Sequence, residues 1–291
     1  MNDDFRWIRA TTRREWLEQR HQYIGASEAA AIVGVSKFSS PSGVWYRKTG
    51  PVEDNEQTIQ QEVGHELEPL IARLFTRETG VEVSDPGDYA IAVSNRYPWL
   101  SCTLDRFAEP VIPVELKTAS FDAAKEWKER VPLAYQIQVM IQMIVTGSRQ
   151  GYIAVLLNGS AFKWHPVAYH ERLAERLIVR TKDFYERCMV GGERPAPDGH
   201  DATRQVLSSL YPKADGDPLD LPGELADLGA EYDELAAQMK AAKERQQQIQ
   251  NSVKDALGPA PLGRLSDGSG FRWSGDKSRR FTRVKKVKVD E

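Results

Sequence analysis

The sequence lacks both the cysteines of a disulfide framework and the long apolar runs of a membrane protein. It has only two cysteines, Cys102 and Cys188, and neither belongs to a CxxC pair. This number excludes a disulfide scaffold, a four-cysteine zinc site and a four-cysteine iron–sulfur cluster. No apolar run approaches the roughly 20 residues that span a bilayer, and the start MNDDFRWIRATTRREW is charged where a signal peptide would be apolar. We therefore expect a cytoplasmic protein without a membrane partner.

The global charge does not select a class of partner. The formal net charge is −3 over 291 residues, of which 28% are charged and 41% hydrophobic. This composition is that of an ordinary globular protein and neither favours nor excludes nucleic acid. The five histidines show no i, i+4 pairing and no neighbouring cysteine cluster, so we do not expect a zinc site. Local patterns must therefore indicate the function.

Hydrophobic periodicity predicts an α/β domain over residues 1–192. Ser27 is the expected N-cap of a short helix, and a second helix includes Glu66 to Phe75 and stops at Gly80. Further elements follow in the order strand, strand, strand, helix, strand, strand, helix: Val81–Val93, Trp99–Ala108, Val111–Lys117, Phe121–Val145, Gly151–Leu157, Phe162–Val167 and His170–Met189. We expect the first three strands to form an antiparallel meander and Asn158-Gly159 to form a hairpin turn.

The remainder of the chain divides into three segments. Residues 193–220 are rich in Pro, Gly and Asp, which predicts a linker. Residues 221–258 carry apolar side chains in alternating steps of three and four for about four and a half heptads. This pattern fits an amphipathic helix packed on the preceding domain, or equally an antiparallel or self-associating coiled coil. Residues 259–291 form a basic, aromatic-bearing tail in which a short hairpin is expected, and which either binds phosphate backbone or is solvated.

The residues that carry chemistry are Asp105 and the run Val114-Glu115-Leu116-Lys117. Strand alternation places Glu115 and Lys117 on one face, and Asp105 reaches that face if the two strands pair across Glu109-Pro110. Carboxylates that hold Mg²⁺, next to a lysine that orients a water, suit phosphodiester hydrolysis. By itself, Glu-x-Lys on a strand is more often an exposed ion pair.

Several separated motifs add context to this pattern. They are Trp16-x3-Arg20 with Ile24-Gly25-Ala26-Ser27-Glu28, Gly64-His65-Glu66-Leu67-Glu68, Ser101-Cys102-Thr103-Leu104-Asp105, Glu115-Leu116-Lys117 and Tyr135-Gln136-Ile137-Gln138. Through these motifs the chain resembles the YqaJ-like viral recombinase family, or bacteriophage lambda exonuclease family, of the PD-(D/E)XK nuclease superfamily. One departure is visible, because lambda exonuclease has Ser-Pro-Asp-Gly around its metal aspartate and this chain has Thr-Leu-Asp-Arg.

The resemblance implies a role for each matching residue. Asp105, Glu115 and the backbone carbonyl of Leu116 would bind the catalytic Mg²⁺, for which Mn²⁺ would substitute, and Glu68 would help to hold a second ion. Lys117 would position or activate the attacking water. Gln138 is the expected active-site glutamine, although its neighbour Gln136 is the alternative. Arg20 and Ser27 match the residues that receive the 5′-phosphate of the degraded strand, and otherwise they would be a surface arginine and a plain helix cap.

The resemblance also implies the fold and the activity. The fold would be a restriction-endonuclease-like PD-(D/E)XK core, followed by the heptad segment and the basic tail. The activity would be Mg²⁺-dependent 5′-to-3′ resection of double-stranded DNA ends for phage-type recombination, in a bacterial host cytoplasm, by a trimer working with a single-strand annealing protein. The alternatives are an endonuclease or RecB-like nuclease of the same superfamily, and a non-catalytic DNA-binding scaffold.

Overall fold

The computed structural model of the protein describes residues 3–54, 56–120, 123, 125–128, 130–214, 216–275 and 278–287. Phe121, where the central helical region was predicted to begin, lies outside these residues, as do the tail residues Asp276, Lys277, Lys288, Asp290 and Glu291. The chain divides between residues 214 and 215 into two compact units. The first unit therefore continues past residue 192, where the composition predicted that the domain ends.

The first unit is a mixed α/β structure. Its helices are α1 (Arg13–His21), α2 (Ala26–Ile32), α3 (Pro41–Thr49), α4 (Ile59–Thr79), α5 (Leu133–Thr146), α6 (Glu171–Phe184) and α7 (Asp201–Leu210), with a 3₁₀ turn at Glu126–Lys128 and a π-helical turn at Tyr185–Val190. Its strands are β1 (Phe5–Arg9), β2 (Ile24–Gly25), β3 (Ala90–Ser94), β4 (Leu100–Cys102), β5 (Arg106–Ala108), β6 (Ile112–Ala119), β7 (Gln150–Leu157) and β8 (Ala161–Ala168). None of the described helices is long and apolar enough to cross a membrane.

The strands form two four-stranded sheets, with orders β1-β3-β4-β2 and β5-β6-β7-β8. The strands β5 and β6 are antiparallel, and so are β7 and β8, whereas β6 and β7 are parallel. Asn158 and Gly159, at the tight connection between β7 and β8, both have positive φ. This confirms the predicted hairpin, since a tight turn with two positive φ angles favours Asn-Gly.

The predicted three-stranded meander is correct only in part: its first two stretches pair antiparallel through β3 and β4, but the first is shorter than predicted and the second is broken. Val81–Tyr89 is not a strand, because Asp85 accepts a hydrogen bond from the Gly87 amide at 2.8 Å and Gly87 and Tyr89 have positive φ. The second stretch splits into β4 and β5, which belong to different sheets. Alternation cannot show such a change of sheet, because it depends on which distant strands are neighbours. The antiparallel pairing of β5 with β6 is as predicted.

Helix α5 lies at the centre of the unit and contacts strands of both sheets, β3, β4, β6 and β7. Its sequence LAYQIQVMIQMIVT is apolar nearly all round, as expected of a helix buried on most sides, and Gly147 ends it with φ 72°. The helix approaches β7 closely at Gly151, where an added Cβ would lie 2.6 Å from Val139 Cγ1. The two glutamines of α5 that matter for the site, Gln138 and Gln142, face β6.

The segment 193–220 contains α7 where composition predicted a linker. Val206 is buried, and the Thr203 hydroxyl contacts Ser40 Oγ at 2.8 Å just before α3. Pro and Gly flank this helix, and their abundance concealed its short amphipathic pattern. Helix α7 therefore belongs to the first unit.

We expect a chain ending at residue 214 to be folded and one ending at residue 192 to be less stable. The shorter chain loses α7, and burial of a valine side chain alone stabilises by about 1.5–3 kcal/mol. Urea unfolding of the two truncated chains measures the difference. Equal unfolding midpoints would show that α7 adds nothing to the unit.

The second unit comprises the helix α8 (Glu224–Leu257) and the strands β9 (Leu262–Arg264), β10 (Gly270–Ser274) and β11 (Arg280–Val284). The strands form an antiparallel sheet with the order β11-β10-β9. Phe271 stacks on Phe281 at 5.4 Å, and the pair joins β10 to β11. The aromatic residues of the tail thus lie in a hairpin of the predicted kind.

Candidate active site

Asp105 lies immediately before β5 and faces the neighbouring strand. Its Oδ2 accepts a hydrogen bond from the backbone N–H of Leu116 on β6 at 2.8 Å. This bond fixes the carboxylate next to Glu115, across the β5–β6 pair that ends at Glu109-Pro110. The structure therefore brings Asp105 to the strand that carries Glu-x-Lys.

Glu115 is the centre of the site. Its side chain is only 1% exposed, since β6 is an interior strand of its sheet. Lys117 Nζ donates to Glu115 Oε1, as expected for residues two apart on one face of a strand. Gln138 Nε2 donates to the same oxygen at 2.6 Å, and Gln142 Nε2 donates to Oε2 at 2.6 Å. A buried carboxylate is thus held by three side-chain donors.

The two predicted glutamines have different partners. Gln136 Nε2 donates to the backbone carbonyl of Val131 at 2.7 Å. This hydrogen bond joins α5 to the segment that precedes it. Gln138 contacts Glu115, and Gln142 lies one turn further along the same face. Gln142 was not predicted, although a second glutamine four residues after Gln138 is a recognisable helical pattern.

The charges of the site are closely coupled. Burial, and next the charge of Glu115, raise the pKa of Asp105 well above its usual range. Burial acts to lower the pKa of Lys117, but Glu115 and Asp105 outweigh it and raise that pKa. A cation relieves the repulsion between two buried carboxylates, and oxygen ligands suit a hard divalent ion. Asp105 and Glu115 therefore fit Mg²⁺.

Glu68 is set apart from this pair. It lies on α4, where His65 Nδ1 is 3.0 Å from its Oε1 and Arg106 Nη1 is 3.9 Å from its Oε2. Burial raises the pKa of Glu68, and the charge of Glu115 adds to the effect. In the part of the chain that the structure describes, no three His, Cys, Asp or Glu side chains form a group that could hold a metal ion. The structure therefore does not join Glu68 to Asp105 and Glu115 as a third ligand.

Arg106 follows Asp105 directly, at the position where the motif of lambda exonuclease has glycine. Its Nη1 donates to the Asp105 carbonyl and lies 3.2 Å from Asp85 Oδ2. It lines a cleft of about 990 Å³ together with Asp105, Glu68 and Trp16. This difference from the lambda exonuclease motif thus places a guanidinium on the wall of the cleft.

Arg20 lines a second, smaller cavity of about 180 Å³ with Arg47, Lys48 and Glu28. Its guanidinium lies 4.3 Å from the ring of Trp16, which lines the larger cleft. Burial lowers the pKa of Arg20, yet an arginine remains protonated at neutral pH. One stacked pair therefore connects the cationic cavity with the cleft that contains Asp105.

Lys48 is a structural member of this cavity. Its side chain is 6% exposed, and its Nζ lies 2.9 Å from Glu28 Oε2 and 2.7 Å from the Arg20 carbonyl. It therefore fixes the end of α1 against α2. Arg47 and Lys48 were not predicted as neighbours of Arg20, because they lie on α3 and reach Arg20 only through the tertiary fold.

Ser27 does not occupy its predicted cap position. The N-cap of α2 is Gly25, whose amide donates to Glu28 Oε2 at 2.8 Å, and Ser27 is the second residue of the helix. Ser27 is exposed, whereas Glu28 lines the cavity of Arg20. The predicted N-cap is two residues too late, because the side chain of Glu28, within the helix, accepts the hydrogen bond of the Gly25 amide.

Comparison with known proteins decides the family. Residues 15–149 match the YqaJ-like viral recombinase domain, a range that includes each of these site residues. The YqaJ protein of Bacillus subtilis strain 168 is 30% identical over 256 residues, which cover 84% of this chain and 79% of that protein. The chain belongs to the YqaJ-like viral recombinase family.

Solved structures share the fold of this YqaJ-like chain. The alkaline exonuclease LHK-Exo of Laribacter hongkongensis matches with a TM-score of 0.52 and 17% identity, over 68% of this chain and 100% of that one. The same enzyme in complex with dAMP matches with a TM-score of 0.50 and 16% identity over the same shares. At such low identity these matches show a common fold.

Proposed function

We propose that this YqaJ-like chain is a Mg²⁺-dependent exonuclease with a PD-(D/E)XK core that resects double-stranded DNA ends in the 5′-to-3′ direction. The observation that carries the proposal is the arrangement of Asp105, Glu115 and Lys117 on the paired strands β5 and β6. Family membership and the shared fold of LHK-Exo, an alkaline exonuclease by name, support the activity.

The family resemblance implies the roles of the residues, and their chemistry fits those roles. Asp105, Glu115 and the Leu116 carbonyl would hold Mg²⁺, or Mn²⁺ in its place, and Glu68 would help to hold a second ion. The bound ion polarises the phosphate and lowers the pKa of water. Lys117, an ammonium with three donors, orients the attacking water or a phosphate oxygen. Gln138 and Gln142 keep Glu115 in place through their hydrogen bonds.

Hydrolysis adds the water oxygen to phosphorus and breaks the P–O3′ bond. One proton of the water is lost and O3′ gains one, so a nucleoside 5′-monophosphate leaves. The shortened strand begins with a new 5′-phosphate. Arg20 presents a guanidinium to this group in the cavity beside the cleft, and an arginine fork suits phosphate oxygens. Ser27 would add a hydroxyl donor from the start of α2.

Two alternatives lead to different products. A same-superfamily endonuclease or RecB-like nuclease would cut without a free 5′ end, and a DNA-binding scaffold would not cut at all. Digestion of linear and covalently closed circular duplex DNA, with Mg²⁺ or EDTA, separates the three. We expect loss of the linear duplex alone, and only with Mg²⁺. Cutting of closed circles would favour the endonuclease, and survival of both DNAs would favour the scaffold.

The family resemblance extends the proposal to the cellular location, the oligomeric state and the partner protein. The chain would work in the cytoplasm of a bacterial host as a homotrimer around duplex DNA. A single-strand annealing protein would coat the strand that resection exposes. These partners remain proposals that rest on the family alone.

The sheet of the second unit is a candidate for contacts with phosphate backbone. Arg279 and Arg283 donate to backbone carbonyls and stack on Trp273 and Phe271, so they serve the structure of the sheet. Arg272 and Arg280 alternate with the aromatic positions and are exposed. These two arginines on β10 and β11 are therefore better candidates for DNA contacts than the whole tail.

We expect Arg272→Ala/Arg280→Ala to weaken DNA binding and to flatten its salt dependence by up to about two units of slope, one for each lost phosphate contact. Lys240→Ala, an exposed position on α8, is the matched control and should leave the slope unchanged. Titrations at several salt concentrations give the slope. The same slope for the double variant and the unmodified protein would exclude these DNA contacts.

A further inference from the structure

Helix α8 exposes its apolar stripe. The helix has 34 residues, and none of them is buried. Large apolar side chains on the stripe range from 40% exposed at Leu225 to 74% at Tyr232 and Met239. Helical stability in proteins comes mainly from the packing of an amphipathic face, and Gly229 within this helix lowers its intrinsic helicity. An apolar stripe left this exposed is therefore expected to be covered by a partner surface.

We propose that the stripe of α8 from Leu225 to Ile249 pairs with the same stripe of a second copy of this chain, as an antiparallel two-stranded coiled coil. The stripe is about 36 Å long at ~1.5 Å per residue, and it follows the heptad spacing throughout. The two helices of the pair would come from the second units of the two copies. This inference does not depend on nuclease activity.

A single antiparallel register matches every position of the stripe. Leu225 then lies opposite Ile249 of the second copy, Leu228 opposite Gln246, Tyr232 opposite Ala242, and Leu235 opposite Met239. The largest side chain thus faces the smallest one, which fills the layer without a void. A parallel pair would instead place Tyr232 and Gln246 opposite themselves, with two bulky rings in one layer and two amides in another.

Charge favours the same orientation. In the antiparallel register Glu231 flanks Arg245 of the second copy, so each dimer contains this opposite-charge pair twice. In a parallel pair the same flanking positions would oppose Glu231 to Ala236 and Arg245 to Gln250, with no opposite charges. The N-terminal half of α8 also carries most of its acidic residues: Glu224, Asp227, Glu231, Asp233 and Glu234. Flanking charges select the orientation of coiled coils.

Disulfide trapping in the full-length chain tests the register. Leu225→Cys/Ile249→Cys places the two thiols of each copy opposite those of the other, so mild oxidation should yield a covalent dimer on a non-reducing gel. Leu225→Cys alone should remain monomeric on the gel, since its nearest partner is Ile249. The native cysteines Cys102 and Cys188 are buried, so the unmodified chain serves as the background control.

Two outcomes would overturn the proposal. Equal dimer formation by Leu225→Cys alone would indicate a parallel coil. No dimer from the double-cysteine chain would indicate that the stripe is covered by the same chain or by another protein. Within the double-cysteine chain, Glu231→Arg should lower the rate of dimer formation by about fivefold, because two flanking pairs become repulsive. Adding Arg245→Glu should restore the rate, and failure to restore it would also contradict the register.

Discussion

Lys117→Met should lower the rate of DNA cleavage by about 10²- to 10³-fold, the loss typical of one preorganised donor. The methionine keeps the unbranched stem of the side chain but removes the ammonium that contacts Glu115, the group to which we assign the orientation of the attacking water. Asp105→Asn should lower the cleavage rate by more than the roughly 10- to 100-fold that follows removal of an outer partner of a metal ligand, because in the proposed mechanism it removes the charge of a direct ligand. Single-turnover cleavage of a labelled linear duplex measures both variants.

The design of these variants depends on the contacts of the site. Asparagine at position 105 retains an oxygen that accepts from the Leu116 amide, so that variant should remain folded. Glu115→Ala is a poorer choice, since it leaves Lys117, Gln138 and Gln142 without their shared acceptor. Loss of one partner of a buried ion pair costs about 3–5 kcal/mol. Near-normal cleavage by Lys117→Met or Asp105→Asn, with normal thermal unfolding, would contradict the assigned roles.

Arg20→Ala should remove the preference for 5′-phosphorylated ends. A hydrogen bond to a charged group contributes roughly 1.5–3 kcal/mol, so kcat/KM on phosphorylated ends should fall by about 10- to 150-fold. The first cut at a 5′-hydroxyl end should keep its rate, because Asp105 and Lys117 are untouched, whereas every later cut meets a new 5′-phosphate and should be slowed. Initial rates on the two substrates, compared for the variant and the unmodified protein, give the preference.

Arg14→Ala is the matched control for this experiment. Arg14 lies on the same helix as Arg20 but is 86% exposed and pairs only with Glu18 among the ion pairs of the described chain. It should keep the full preference for phosphate. If Arg20→Ala retains the preference, or if the unmodified protein has none, the cavity beside Trp16 does not receive the 5′-phosphate.

The sequence predicted the local features of the site better than its surroundings. Strand alternation and one short turn predicted that Asp105, Glu115 and Lys117 lie together. Both features depend on residues that are near neighbours in sequence. Only the resemblance favoured Gln138 over Gln136, because strand and helix periods alone do not show how α5 is rotated against β6. Resemblance identified the family, and the comparisons confirm it.

The non-local features were missed for a common physical reason. Lys48 reaches the Arg20 carbonyl from another helix, and no pattern within α1 indicates such a contact. The break between β4 and β5 has the same origin, since both stretches favour strands and only their neighbours place them in different sheets. Helix α7 was obscured by the Pro and Gly around it. Tertiary contacts commonly override such compositional indications.

The most direct test of the proposed function is to determine which strand of a duplex end disappears. A linear duplex with a 5′-phosphate at one end and a blocked opposite end, labelled at internal positions of each strand, is digested with Mg²⁺ and sampled over time. We predict that the 5′-phosphorylated strand is lost progressively from its end, with release of 5′-mononucleotides, while the complementary strand remains intact. Loss of the 3′-ended strand, or of both strands together, would contradict the proposal.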